Sequence, residues 1–154
     1  MKKLFVFDLD FTLWNAGGTW CDHTNPPFRR INQHVEDADG SRIVLYPDVC
    51  QILNQLTLDD FTLALASRTG EPSWALQLLR LFEIEDLFKF KEIYPGSKIK
   101  HFNKLQSQSG IPFSDMVFYD DEMRNIHEVG VLGVDAVYVE NGLTIQMIEN
   151  QLNF

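Results

Sequence analysis

The sequence has no long hydrophobic run. The apolar stretch that follows Lys2 and Lys3 ends at Asp8, so it is too short for the core of a signal peptide. No other stretch approaches the roughly 20 apolar residues that a membrane-spanning helix requires. We therefore predict a cytoplasmic protein without a membrane partner.

Residues that could hold the fold together through sulfur or a structural metal are also few. The only cysteines, Cys21 and Cys50, lack the spacing of a metal site or a disulfide framework, and we interpret them as free thiols in a reducing compartment. The four histidines show no paired spacing for zinc. Neither disulfides nor zinc are therefore expected to stabilise this protein.

Basic residues are scarce, since 13 Lys and Arg stand against 22 Asp and Glu, for a net charge of −9. Nucleic acids are not expected as partners, because generic affinity for them comes from basic side chains that neutralise phosphates. A Gly-rich phosphate loop is absent too, which argues against nucleotide-driven chemistry. An anionic substrate would need a local positive site, and one basic cluster could supply it, although a solvated surface is an alternative interpretation. The basic cluster consists of Lys89, Lys91, Lys98, Lys100, His101 and Lys104.

What the sequence does contain is a regular alternation of strand and helix patterns. Strands are predicted at 4–7, 62–66, 88–93, 116–119 and 136–139, and each is followed by an amphipathic helix pattern, the first of them after an excursion. Such alternation is typical of a parallel sheet with helices on both faces. We predict one α/β domain over residues 1–154, with a loop and hairpin excursion at 13–44.

Polar side chains collect where the predicted strands end. Asp8 and Asp10 follow the first strand, Ser67 and Arg68 follow the second, and Asp120 and Asp121 follow the fourth. Lys98 comes from the helix after the third strand. Ligands of open parallel sheets bind outside the carboxyl ends of the strands, so these groups are expected to share one site. Closely spaced carboxylates repel one another unless a cation lies between them, and oxygen ligands of this kind suit Mg²⁺.

These groups suit phosphoryl transfer to an enzyme carboxylate. Asp8 is the predicted nucleophile, and Asp10, which points the same way in an extended chain, is the predicted general acid and base. Ser67 and nearby amides would hold phosphate oxygens, and Lys98 would neutralise the developing charge. Asp120 and Asp121 would complete the metal shell, either directly or through water.

Four motifs of the sequence resemble those of the haloacid dehalogenase superfamily. DLDFT at 8–12 resembles its first motif, while Ser67, Lys98 and the pair Asp120 and Asp121 match the other three in order. The resemblance is closer to the magnesium-dependent phosphatase branch and covers nearly the whole chain. The blocks that carry it are DLDFTLW at 8–14, LYPDV at 45–49, ASRT at 66–69, EIYPGSKIKHF at 92–102 and VFYDDEMRNI at 117–126.

The resemblance implies a Rossmann-like, three-layer α/β/α fold with a central parallel sheet of about five strands and no large cap domain. It also implies a Mg²⁺-dependent phosphomonoesterase that acts through an aspartyl phosphate on aryl phosphates such as phosphotyrosine, on sugar phosphates or on a phosphoprotein. Asp10 would in addition bind the metal through its backbone carbonyl. Leu9, Ser67 and Arg68 would contact the phosphate or the substrate.

Several alternatives stay open at this point. Asp121 could cap the following helix instead of serving the metal, Lys100 could take the role given to Lys98, and Arg68 could be a surface ion-pair residue. Trp14 and Trp20 could form a wall over the site or only pin the excursion to the core.

The function and the assembly also have alternatives. The functional alternatives are a glyceryl transferase and phosphatase, a phosphotransferase, or a binding module that has kept the fold without the activity. The oligomeric state is not determined by the sequence, and a monomer is the simplest expectation.

Overall fold

The computed structural model describes residues 1–152, which form a five-stranded parallel sheet and a smaller antiparallel sheet. The strands are β1 (Leu4–Phe7), β2 (Trp14–Asn15), β3 (Arg29–Ile31), β4 (His34–Glu36), β5 (Arg42–Leu45), β6 (Thr62–Ser67), β7 (Phe90–Ile93), β8 (Met116–Asp120) and β9 (Asp135–Tyr138). The helices are α1 (Val49–Leu58), α2 (Pro72–Leu81), α3 (Lys98–Ser109), α4 (Met123–Gly130) and α5 (Ile145–Leu152). None of these helices is long and apolar enough to cross a membrane.

The large sheet has the strand order β7-β6-β1-β8-β9, and all its neighbouring strands are parallel. The chain builds outward from β1 through β6 to β7, then returns to the other side of β1 to form β8 and β9. The order therefore reverses beside the central strand, which is where open α/β sheets place their ligands.

Both faces of the large sheet are covered, because successive side chains of a strand point to opposite faces. Phe5 and Phe7 belong to the apolar cluster under α1, α2 and α5, whereas Leu4 and Val6 belong to the cluster under α3 and α4. All four of these β1 side chains are fully buried. The predicted three-layer α/β/α architecture without a large cap domain is confirmed.

The excursion is more regular than the predicted loop and hairpin. Strands β2 to β5 form a four-stranded antiparallel sheet, in the order β2-β5-β4-β3, that extends to Leu45. Its strands have only two to four residues, too few for an alternating pattern to stand out in the sequence. Val35 and Ile43 from this sheet are buried in the same cluster as Phe5 and Phe7, so the small sheet packs on the α1 side of the large one.

Candidate functional site

A pocket of about 250 Å³ lies at the carboxyl edge of the parallel sheet. Five predicted site residues line it: Asp8, Asp10, Ser67, Arg68 and Lys98. The chain brings them there from positions that are up to 90 residues apart, because β1 and β6 are hydrogen-bonded neighbours and α3 returns its first residue to the same edge. The predicted convergence at one edge of the sheet is thus present in the structure.

Lys98 is the buried cation of the site. Its ammonium donates hydrogen bonds to Asp8 Oδ1 at 3.2 Å, to Asp120 Oδ2 at 2.9 Å and to the Ala66 carbonyl. Burial lowers the pKa of Lys98, but the charges of Asp8 and Asp120 outweigh that effect, so the pKa lies above its ordinary value and the side chain stays charged.

The turn before α3 explains why Lys98 and not Lys100 reaches the acids. Ser97 caps the helix by accepting the N–H of Ile99 on its hydroxyl at 3.1 Å, which makes Lys98 the first helical residue. Lys100 instead places its ammonium 5.8 Å from the centre of the Tyr94 ring. The basic cluster as a whole is therefore not a phosphate site, and only Lys98 among its members lines the pocket.

Three carboxyl groups approach one another closely at the end of β1 and β8. One oxygen each from Asp8, Asp120 and Asp121 lies within 4.8 Å of the other two. Burial raises the pKa of all three carboxyl groups, and Lys98 opposes the rise at Asp8 and Asp120. The charge of Asp8 adds to the rise at Asp120 and Asp121, whereas at Asp8 it is the charge of Asp10 that adds to it. One lysine cannot balance three carboxylates, so the cluster suits a divalent cation that prefers oxygen ligands, as Mg²⁺ does.

Asp121 does not cap the helix that follows it. In the described chain α4 begins at Met123 without a side-chain cap, and it is Asp120 Oδ1 that accepts the N–H of Glu122, at 2.8 Å. The structure thus favours the metal alternative for Asp121 over the capping alternative.

Asp10 stands apart from this acid cluster. Its Oδ1 atom accepts two hydrogen bonds of 2.8 Å, one from the indole N–H of Trp14 and one from the backbone N–H of Cys21. Burial raises its pKa, and these two hydrogen bonds oppose the rise. Its carboxyl group is not among the clustered metal-binding oxygens of residues 1–152, so any metal contact of Asp10 would be made by its main chain.

The predicted phosphate-binding residues differ in what they can offer. Ser67 ends β6, and its hydroxyl is buried next to the Thr69 N–H, which donates to it at 3.3 Å. Arg68 lines the pocket and donates to Asn125 Oδ1 at 3.4 Å, so it belongs to the site and not to a surface ion pair. Leu9 has a fully buried side chain, and only its backbone could contact a phosphate.

Sequence reasoning missed Asn125, a buried residue that joins two parts of the site. Its Nδ2 atom donates to Asp120 Oδ2 at 3.1 Å while its Oδ1 atom accepts from Arg68. Asn125 lies five residues after Asp120 within the block 117–126, but Asp120 ends β8 and Asn125 is the third residue of α4, so no helical spacing links the two. Its place in the block is the one signal that could have drawn attention to it.

The excursion supplies pocket residues that no local pattern signals. Trp20, Asp22 and His23 line the pocket beside the predicted residues. Asp22 Oδ2 accepts the N–H of Gly70 at 3.1 Å, which joins the excursion to the loop after β6. Trp20 is therefore part of a wall over the site, whereas Trp14 is fully buried.

Comparisons with known proteins agree with this geometry. The profile of the acid phosphatase family matches residues 1–154. Human "Magnesium-dependent phosphatase 1" is 46% identical over 154 residues, which cover 99% of this chain and 86% of the human protein. A "HAD-like hydrolase superfamily protein" of Schizosaccharomyces pombe is 39% identical over 145 residues, which cover 86% of this chain and 82% of that one.

A solved structure provides an independent comparison of the fold. The HAD family enzyme of Bacteroides thetaiotaomicron, in complex with magnesium and inorganic phosphate, aligns with a TM-score of 0.70 over 96% of this chain and 99% of that one. The sequences are 13% identical, so this likeness concerns the fold alone.

Proposed function

Because the chain belongs to the acid phosphatase family, within the haloacid dehalogenase superfamily, we propose that it hydrolyses phosphomonoesters through an aspartyl phosphate formed on Asp8. The family relationship supports the phosphatase activity in this proposal, and it confirms that the predicted enzyme class is correct. The binding-module alternative is thereby set aside. The covalent intermediate, the roles of individual residues and the substrate class are our inferences from the site.

Mg²⁺ is the cofactor, as predicted. The name of the human relative specifies magnesium, and the carboxyl groups of Asp8, Asp120 and Asp121 lie close enough to hold one ion together. When bound, the ion offsets the repulsion between the Asp8 carboxylate and a phosphate dianion.

The observation that carries the mechanism is the position of Lys98 between Asp8 and Asp120. Because Lys98 is hydrogen-bonded to both Asp8 and Asp120, Oδ1 of Asp8 is held in place, and we assign the attack to the second Asp8 oxygen, Oδ2. The weak hydrogen bond from Thr12 to that second oxygen, at 3.4 Å, leaves it able to attack. Lys98 also supplies a fixed positive charge for the phosphoryl oxygens.

The proposed reaction has two displacements at phosphorus. In the first, an Asp8 oxygen bonds to phosphorus, the bond to the leaving oxygen breaks, and that oxygen departs with the electron pair and takes a proton from Asp10. In the second, water attacks phosphorus and gives a proton to Asp10, while the bond between phosphorus and the Asp8 oxygen breaks. The products are inorganic phosphate and the free Asp8 carboxylate. Ser67 and Arg68 hold the phosphoryl group during both steps.

The shape of the pocket supports aryl phosphates, including phosphotyrosine, or sugar phosphates as substrates. Within residues 1–152 no cap domain closes over the pocket, so the leaving group can extend outward, as it must in a phosphoprotein. Trp20 offers an aromatic surface there, with 48% of its area exposed. Both the ring of an aryl phosphate and the ring of a sugar phosphate pack well on such a surface. A phosphotransferase would use the same intermediate with an alcohol in place of water. The monomeric state and the cytoplasmic location stay predictions.

Asp8→Asn tests the proposal directly. With p-nitrophenyl phosphate and Mg²⁺, we expect kcat to fall by roughly 10³-fold or more, because an amide cannot form the phosphoenzyme. Brief incubation with ³²P-labelled substrate followed by acid quenching should label the wild-type protein and not the variant. The matched control is Asp86→Asn, which alters an exposed acid outside the pocket and should retain both activity and label. Equal turnover by wild type and Asp8→Asn would refute the mechanism.

A further inference from the structure

The turn that follows β1 repeats one contact at both of its acids. Asp8 Oδ2 accepts a hydrogen bond from the Thr12 hydroxyl at 3.4 Å, and Asp10 Oδ1 accepts one from the Trp14 indole at 2.8 Å. In each case the donor lies four residues after the acid. The turn is closed by the hydrogen bond from the Phe11 N–H to the Trp14 carbonyl at 2.7 Å, with Phe11 at a φ of 63°.

Trp14 is held from several sides independently of Asp10. Its side chain is fully buried, its ring centre lies 6.1 Å from that of Phe82, and its backbone pairs with Leu45 in the small sheet. The position of the indole N–H is therefore set by the packing around Trp14 and does not depend on Asp10.

Both N–H groups that contact the Asp10 carboxyl group donate to the same oxygen. The indole of Trp14 and the backbone of Cys21 each donate to Oδ1, and within residues 1–152 no N–H donor reaches Oδ2. An oxygen that accepts two hydrogen bonds is a poor site for a proton, so a protonated Asp10 carries its proton on Oδ2. Asp10 also lines the pocket, where a leaving oxygen would lie.

We propose that Trp14 is a positioning residue that makes Asp10 an effective general acid by holding Oδ1 and leaving Oδ2 to deliver the proton. This inference rests on the proposed function, in which Asp10 protonates the leaving group. During that step the O–H bond at Oδ2 breaks, the proton joins the departing oxygen, and the new carboxylate charge is stabilised at Oδ1 by the two donors. Trp14 touches neither the substrate nor phosphorus.

A series of substrates with different leaving groups separates this role from a general structural one. A nitrophenolate leaves without protonation, whereas an alkoxide needs a proton, and general acid catalysis typically contributes about 10² to 10⁴-fold. For Trp14→Phe, we expect kcat/KM to change less than about 3-fold with p-nitrophenyl phosphate and to fall about 10²-fold with an alkyl phosphate. Its kcat/KM should thus depend more steeply on the pKa of the leaving group.

Two control variants accompany the test. Trp74→Phe removes a tryptophan of α2 that packs against Phe28, outside the pocket, and should retain the wild-type leaving-group dependence. If Trp14→Phe does not fold, benzothienylalanine at position 14 keeps the shape of the indole and lacks only its N–H donor. An equal loss with all substrates, or no loss with any of them, overturns the proposal.

Asp10→Asn shows which hypothesis has failed. If Asp10→Asn keeps the wild-type dependence on the leaving group, then Asp10 is not the general acid. The step of the proposed mechanism in which Asp10 protonates the leaving oxygen is then wrong. If Asp10→Asn steepens the dependence and Trp14→Phe does not, then Asp10 is the acid and only the role of Trp14 is refuted.

Discussion

The two sheets of the protein contribute to the pocket in different ways. The parallel sheet, with the first residue of α3, supplies the groups assigned to the chemistry: Asp8 after β1, Ser67 on β6, Asp120 on β8 and the buried Lys98. The small antiparallel sheet and its connections supply Trp14, which holds Asp10, and the pocket wall at Trp20.

The difference lies in how each sheet is supported. The ends of the parallel strands are packed between two helical layers, so their side chains are placed by the whole core. The small sheet packs on one side only and leaves β3 as a largely exposed edge strand. We therefore expect changes at the parallel sheet to affect catalysis and metal binding, and changes in the small sheet to affect proton delivery and substrate choice.

Apart from Asp8→Asn, the largest effect is expected from Lys98→Met, which removes the buried cation. Loss of one partner of a buried charged network typically costs about 3 to 5 kcal/mol of stability, and loss of one electrostatic group in an active site costs about 10² to 10³-fold in kcat. Chemical denaturation and steady-state kinetics measure the two effects. The control is Lys100→Met, whose ammonium faces Tyr94 and which should retain stability within about 0.5 kcal/mol.

A contradictory result is easy to recognise for this variant. If Lys98→Met and Lys100→Met lose activity equally, the assignment of Lys98 as the single active-site lysine of the described chain is wrong.

An intermediate effect is expected from Asp120→Asn, which keeps the shape of the side chain and removes the charge of one proposed metal ligand. A ligand at 100 times its Kd stabilises a protein by about 2.7 kcal/mol, so saturating Mg²⁺ should raise the Tm of the wild type by roughly 5 to 10 °C. We expect most of this rise to disappear in the variant when both are measured by differential scanning fluorimetry. Chelation with EDTA should return the wild type to its metal-free Tm.

The control for the metal measurement is Trp20→Ala, since Trp20 belongs to the pocket wall and not to the acid cluster. Its Mg²⁺-dependent rise in Tm should equal that of the wild type. An undiminished rise in Asp120→Asn would mean that the ion binds elsewhere.

The smallest effect is expected from Trp20→Ala on substrate choice. Because the side chain is half exposed at the pocket, its removal should raise KM for aryl phosphates by roughly 3 to 10-fold, corresponding to about 0.5 to 1.5 kcal/mol of aromatic contact. The kcat should change little, since Trp20 takes no part in the proton and phosphoryl transfers of the proposed mechanism. A drop in kcat with unchanged KM would place Trp20 among the positioning groups instead.

Most of the parallel sheet could be predicted from the sequence. The buried strand Leu4–Phe7, the hydroxyl at the end of β6 and the acids at the end of β8 follow from short-range patterns, and their common edge follows from the topology of parallel strands. The cap at Ser97 was also predictable, because a helix start has a local signature. The small sheet was not predictable, since strands of two to four residues are too short for an alternating pattern to stand out.

The contacts of single side chains were less predictable than the elements that carry them. Asn125 lies within the block 117–126, whereas Asp22, which accepts the N–H of Gly70, lies in none of the blocks. Asp22 and Gly70 are 48 residues apart, and neither lies in a pattern that indicates a partner.

The sequence by itself determined the order of strands and helices and the placement of acids at the strand ends, because those features depend on neighbours a few residues apart. Only the tertiary structure decided that Lys98 bridges Asp8 and Asp120, and that Trp14 and Cys21 share one oxygen of Asp10. A hydrogen bond is sensitive to shifts of a few tenths of an ångström, and the position of one segment against another at that scale depends on how the whole core packs.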